Sequence, residues 1–114
     1  MSERSTYQVL TPFDPERLIA VLAAHHVQFV LIGALGARMQ GFPRLTADAD
    51  ITPARDEKNL GHLASALREL NARVYTESVP EGLAFDFTAR SLARADMWNL
   101  VTAAGRLDIA FVPS

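Results

Sequence analysis

Cysteine is missing from the sequence altogether, which excludes a disulfide framework, thiolate metal sites and a thiol nucleophile. Lysine occurs only as Lys58, and no Gly-Lys-Ser/Thr is present, so the Walker phosphate loop is excluded as well. An excess of either charge is lacking: 11 basic residues face 13 acidic ones for a net charge of −2. Bulk electrostatics therefore give no reason to bind nucleic acid or a membrane surface. The longest apolar run, Phe29 to Ala37, is far short of the roughly 20 residues that span a bilayer. The opening Met1-Ser-Glu-Arg-Ser-Thr-Tyr has no apolar core of a signal peptide, so the expected location is the cytoplasm, with no membrane partner. No repeat, low-complexity tract or Gly/Ser linker offers a domain boundary. What is present is a chain of 114 residues, 49% hydrophobic and 21% charged. That composition rules out wholesale disorder and suits one domain, residues 1–114, with 1–13 as an N-terminal arm.

Asp14-Pro15-Glu16 marks the start of a first helix: an acid to cap it and a proline where the missing N–H is harmless. Leu18, Ile19, Leu22 and Ala23 follow at helical spacing, and the helix should fade near His25-His26. Val27 to Ile32 reads as a buried strand ending at Gly33, and Ala34 to Gln40 as a short helix stopped by Gly41 and Pro43. Ala47 to Thr52 alternates small or apolar residues with Asp48, Asp50 and Thr52, the period of a strand with one polar face. Asp56 caps the clearest helix, 56–70, whose stripe is Leu60, Leu63, Ala64, Leu67 and Leu70. A strand is expected over Arg73–Thr76, an extended stretch at Phe85–Phe87 and one helical turn over Ser91–Asp96. Trp98–Ala103 and Leu107–Val112 read as a hairpin turning through Ala104-Gly105-Arg106. The expected fold is α/β in the broad sense (α+β), a mixed β-sheet with helices packed on it.

Three acids sit where packing does not ask for them. Aspartate is poor in strands and costly near a buried sheet. Yet Asp48 and Asp50 leave one face of a strand together, and Asp108 interrupts Leu107-Asp-Ile-Ala-Phe-Val with its apolar neighbours on the other face. If the two strands are neighbours, three carboxylates converge, and a hard divalent cation with oxygen ligands is the natural counter-charge. Two such ions would suit an in-line phosphoryl transfer. Upstream, Ile32-Gly33-Ala34-Leu35-Gly36 puts glycine between a strand and a helix, where free N–H groups can receive phosphate. The glycines at 33, 36 and 41 do not fit the dinucleotide fingerprint, because position 35 is leucine.

Leu31-Ile-Gly-Ala-Leu-Gly-Ala-Arg, then Arg44-Leu-Thr-Ala-Asp-Ala-Asp-Ile, resembles the core of the DNA-polymerase-beta-type nucleotidyltransferases. The small bacterial branch with abortive-infection and toxin–antitoxin nucleotidyltransferases is the nearest in pattern. Leu100-Val-Thr-Ala-Ala-Gly-Arg-Leu-Asp108-Ile is similar to that branch's third-acid hairpin. The resemblance spans about Phe29 to Pro113. It implies a two-metal Mg²⁺ or Mn²⁺ site on Asp48, Asp50 and Asp108, with Asp108 helping to deprotonate an acceptor hydroxyl. It also implies triphosphate binding by Gly33 and the N–H groups after it, at Ala34, with Arg44 neutralising phosphate charge. The implied reaction moves a nucleoside monophosphate from a nucleoside triphosphate such as ATP to RNA (tRNA among the candidates) or protein, and releases pyrophosphate. Ala34 replaces the family's usual Gly or Ser, which removes a hydroxyl contact and implies weakened or altered triphosphate binding. Relatives commonly continue into a helical region after the third acid, so the chain is expected as a minimal core or a fragment.

The competing expectation is a catalytically weak or inactive nucleotide- or partner-binding module of a toxin–antitoxin pair, with an antitoxin as partner. A metal-dependent phosphohydrolase is a third. Taken singly, each residue has an ordinary role: strand acids on a solvated face, a strand-to-helix glycine, a surface arginine. His25 and His26 suit a helix C-terminus, His62 needs no role beside its apolar stripe, and Asp86 fits a hydrogen-bonded strand acid better than a fourth site acid. Trp98 and Phe111 belong to the core.

Overall fold

The computed structural model describes residues 13–32 and 48–111. The expected helix Ala34–Gln40, the residues Gly33, Ala34 and Arg44, and all of the 1–13 arm except Phe13 lie outside the described residues. So does the side chain of Asp48.

The first helix, α1, is Pro15–Ala24. Asp14 caps it by accepting from the Arg17 N–H at 3.1 Å, and Pro15 takes the first helical position. The Asp14 N–H donates to the Ala104 carbonyl at 2.9 Å, tying this helix start to a distant turn. The helix ends through His26, which holds φ +61°. The Val27 N–H then reaches back to the Leu22 carbonyl and the His26 N–H to Ala23, the Schellman arrangement that closes orphan carbonyls. Strand β1 (Phe29–Ile32) follows, and then β2 (Asp48–Pro53). Helix α2, Glu57–Glu69, is capped by Asp56, whose carboxylate accepts from the Asn59 N–H. It closes in the same way as α1, with Asn71 at φ +53° and the Ala72 N–H bonded to Leu67.

The remaining elements are β3 (Arg73–Val74), α3 (Ala89–Leu92), β4 (Met97–Thr102) and β5 (Gly105–Ala110). Several expected boundaries change. β1 starts at Phe29 rather than Val27 and alternates half-buried with exposed residues instead of lying buried, and β3 stops at Val74 rather than Thr76. The one-turn helix starts earlier than Ser91 because Thr88 and Ser91 form a capping box, each side chain bonded to the other's backbone N–H; serine stands where the usual sequence signature has Glu or Gln, so the motif did not announce itself. Phe85–Phe87 lies outside any strand, although Leu83 bridges Val74. The β4–β5 turn falls at Ala103-Ala104, so Arg106 stands in the strand. The Thr102 hydroxyl donates to the Gly105 carbonyl at 2.7 Å and accepts from the Ala104 N–H at 2.9 Å. Gly105 takes φ +106°, and a Cβ there would stand 2.9 Å from Phe13 Cα.

The five strands form one mixed sheet in the order β1-β2-β5-β4-β3. β2 and β5 are parallel, and the other neighbours are antiparallel. The class is α+β, as the alternating elements suggest. One sheet face carries Ala49, Ile51, Leu100, Leu107 and Ile109, all buried. Leu18 and Leu22 of α1, Leu60, Leu63 and Leu67 of α2, and Phe87 and Leu92 complete the same core. Phe111 is buried, whereas Trp98 is half-buried against that core. Among the described residues no helix is long and apolar enough to cross a membrane.

Candidate functional site

Burial alternates strictly along β5: Gly105, Leu107 and Ile109 are buried, while Arg106, Asp108 and Ala110 are half-buried. The pleat thus commits one face to the helices and turns the other away from them. On β2 the buried residues Ala49 and Ile51 flank Asp50, which is half-buried. Because β2 and β5 run parallel with Asp50 as the register partner of Asp108, both carboxylates leave the same face of neighbouring strands. Backbones paired in this way lie about 4.8 Å apart. Asp48 pairs with Arg106 through the backbone.

The same face extends to both sides. Ile32 of β1 is the partner of Asp50, and Asn99 of β4 is the partner of Asp108. The chain leaves the described residues just after Ile32, beside Asp50. Arg106, two residues before Asp108, places Nη2 3.9 Å from Asp108 Oδ1. Its guanidinium lies over the Tyr75 ring, with Cζ 4.0 Å from the centroid. Tyr75 is held at this height by its N–H, which donates to the Asn99 carbonyl at 2.9 Å.

Of the three acids selected on β2 and β5, Asp50 and Asp108 therefore share one register position, while Asp48 stands two residues away opposite Arg106. Arg106 and Tyr75 were missed. Arg106 was assigned to the hairpin turn, and a turn placed slightly earlier would have put it on the strand face of Asp108 by the period of two. Tyr75 carried no signal, since its contact depends on β3 lying beyond β4. Asp86 stands outside the strands, in the loop before α3, where its carbonyl accepts from Ser91 Oγ at 3.1 Å.

Asp50 and Asp108 offer oxygen donors only, which suits a hard divalent cation such as Mg²⁺ or Mn²⁺ and gives nothing to a soft metal. Among the described residues no group of three His, Cys, Asp or Glu is arranged to hold a metal; the third acid of the expected set, Asp48, has its side chain outside them.

The histidines have structural partners. His25 Nε2 lies 2.6 Å from Glu69 Oε1, joining the last turns of the two long helices. His62 Nδ1 lies 3.2 Å from the His26 carbonyl. A polar cavity of about 420 Å³ lined by His26, Gln28, Asp56, Lys58, Asn59 and His62 opens at the N-terminus of α2, off the C-terminal end of β2 and away from the acid pair. Asn59, 4% exposed, is fully engaged there. Its Oδ1 accepts from the Gln28 N–H at 2.7 Å, and its Nδ2 donates to the Ala54 and Gln28 carbonyls at 2.7 and 3.0 Å.

Compared with protein-family models, curated protein sequences and solved structures, the chain gives no match.

Proposed function

We propose that this domain is a nucleotidyltransferase of the cytoplasm, moving a nucleoside monophosphate from a nucleoside triphosphate to a hydroxyl of an RNA or protein acceptor. The observation that carries the reading is the register pairing of Asp50 with Asp108 on adjacent parallel strands. A structural sheet has no use for two carboxylates side by side, since like charges directly opposite one another are destabilising. Their placement on the face turned from the core leaves that repulsion available for a ligand to relieve.

Asp48, Asp50 and Asp108 are the residues that would hold divalent cations. When bound, a pair of such ions neutralises phosphate charge and makes the acceptor hydroxyl more acidic. The work of the chain itself is positioning and charge placement. Asp108 accepts the proton of the acceptor hydroxyl as its oxygen forms the bond to the α-phosphorus. The bond from the α-phosphorus to the bridging oxygen breaks, and pyrophosphate leaves with that electron pair. In this reading the N–H groups from Gly33 and Ala34 receive the triphosphate, and Arg44 offsets its charge.

The test is incubation with each α-labelled triphosphate, Mg²⁺ or Mn²⁺, and a pool of total tRNA or cell-lysate protein. Label transfer that disappears in Asp50→Ala supports the enzyme. Absence of transfer overturns it, whether or not triphosphate binds.

A further inference from the structure

We infer that Arg106, set over the Tyr75 ring beside Asp108, is the fork that binds the polyphosphate of the substrate; this rests on the nucleotidyltransferase reading for the identity of that substrate. Arg106 shares its strand face with Asp108, two residues on, and pairs by register with Asp48 on one side and Val101 on the other. Its charge therefore sits at the border of the acid pair.

Three features separate it from an arginine kept for structure. The first is the aromatic support. A guanidinium stacked on tyrosine at 4.0 Å loses much of its rotamer freedom before any ligand arrives and keeps its in-plane N–H groups free to donate. The second is its engagement with Asp108. At 3.9 Å the contact is an ion pair too long for a hydrogen bond, and Arg106 Nε is shielded from solvent with no hydrogen-bond partner. Arg55 shows the contrast: it too lies on an aromatic ring, that of Phe111. Arg55, however, directs its N–H groups to Asp96 Oδ1 and to the Ala93 and Ala95 carbonyls at 2.9–3.2 Å. The third is access, since the Arg106 side chain is 37% exposed and that of Asp108 25%.

The ligand chemistry follows from the neighbours. A guanidinium presents parallel donors that match two oxygens of a phosphate. Two adjacent carboxylates repel a bare anion, so the anion that fits is one brought in with a divalent cation. A triphosphate chain meets both conditions: its charge is shared between the acid-held cation and Arg106. Tyr75 acts through Arg106 and is a positioning residue.

The experiment titrates inorganic triphosphate, in the presence of Mg²⁺, into the full chain by calorimetry. Wild type, Arg106→Gln, Arg106→Lys, Tyr75→Phe and Tyr75→Leu are compared, with urea melts confirming that each variant folds. Wild type binds, Arg106→Gln weakens binding at least tenfold, and Arg106→Lys falls between because it keeps the charge without the fork. Tyr75→Phe leaves affinity unchanged because the ring remains, whereas Tyr75→Leu lowers it severalfold. Failure of the wild type to bind triphosphate, or equal affinity in Arg106→Gln, overturns the inference. The transferase reading is scored separately by label transfer. Transfer that is lost in Asp50→Ala and kept in full in Arg106→Gln overturns the role of Arg106 and leaves the enzyme standing. Triphosphate binding that needs Arg106, in a protein that transfers no label, supports the fork and overturns the enzyme.

Discussion

His26 and Asn71 occupy the same place in their two helices, the left-handed residue after the C-cap, and they bear it unequally. Asparagine tolerates this conformation through its short polar side chain, while histidine carries a larger steric cost. His26→Gly keeps the backbone hydrogen bonds of the closure and should stabilise the protein by about 0.5–1 kcal/mol after the added freedom of glycine in the unfolded chain is counted. Thermal denaturation would show this as a rise of a few degrees. The reverse expectation holds at Gly105, where φ is +106° and a Cβ would press on the backbone of Phe13. Gly105→Ala should cost about 2–3 kcal/mol in urea denaturation. At the acid pair, Asp50→Asn removes one of two like charges on adjacent strands and should raise stability by about 0.2–1 kcal/mol without divalent ions. With excess Mg²⁺ the order should invert, the wild type gaining stability by mass action and the variant not. Paired melts with and without Mg²⁺ check both halves.

Among the elements, α2 is fastened by Asn59, which no sequence pattern marked. Its position in the helix suits a polar surface residue, yet the loop after β2 and the approach to β1 bring three backbone groups to it. Asn59→Ala leaves the part-buried Gln28 N–H and Ala54 carbonyl without their side-chain partner and should destabilise by about 1–3 kcal/mol. Asn59→Asp, which keeps the acceptor alone, should also destabilise; urea unfolding measures both. Helices α1 and α2 were legible because caps and leucine periodicity are local signals, and the pairing of Asp50 with Asp108 was prepared by the period of two on each strand. The parallel neighbourhood of β2 and β5 was a supposition until the sheet order was known, because register across distant strands leaves no mark in either segment. The hairpin turn was misplaced for a related reason. Glycine suggested the turn centre, whereas Gly105 is the first residue of β5, freed by its positive φ to let Phe13 approach.

For the molecule as a whole, the sheet divides labour between its faces: one is sealed by helices, and the other brings Asp50, Asp108 and Arg106 together at its middle strands. Loss of label transfer in Asp50→Ala should leave the urea midpoint at or above that of wild type, since the acid is outside the core. A loss of activity tracking a loss of stability would point to the fold instead. The order β1-β2-β5-β4-β3 also governs how the protein is made. β5 is the last described strand in the chain and a central one in the sheet, so on the ribosome β2 keeps an open edge until β5 has been made. Only the insertion of β5 between β2 and β4 brings Asp108 to Asp50. Asp50 and Asp108 therefore come together in one step that closes the long loop between β2 and β5, with its loop-closure entropy against it.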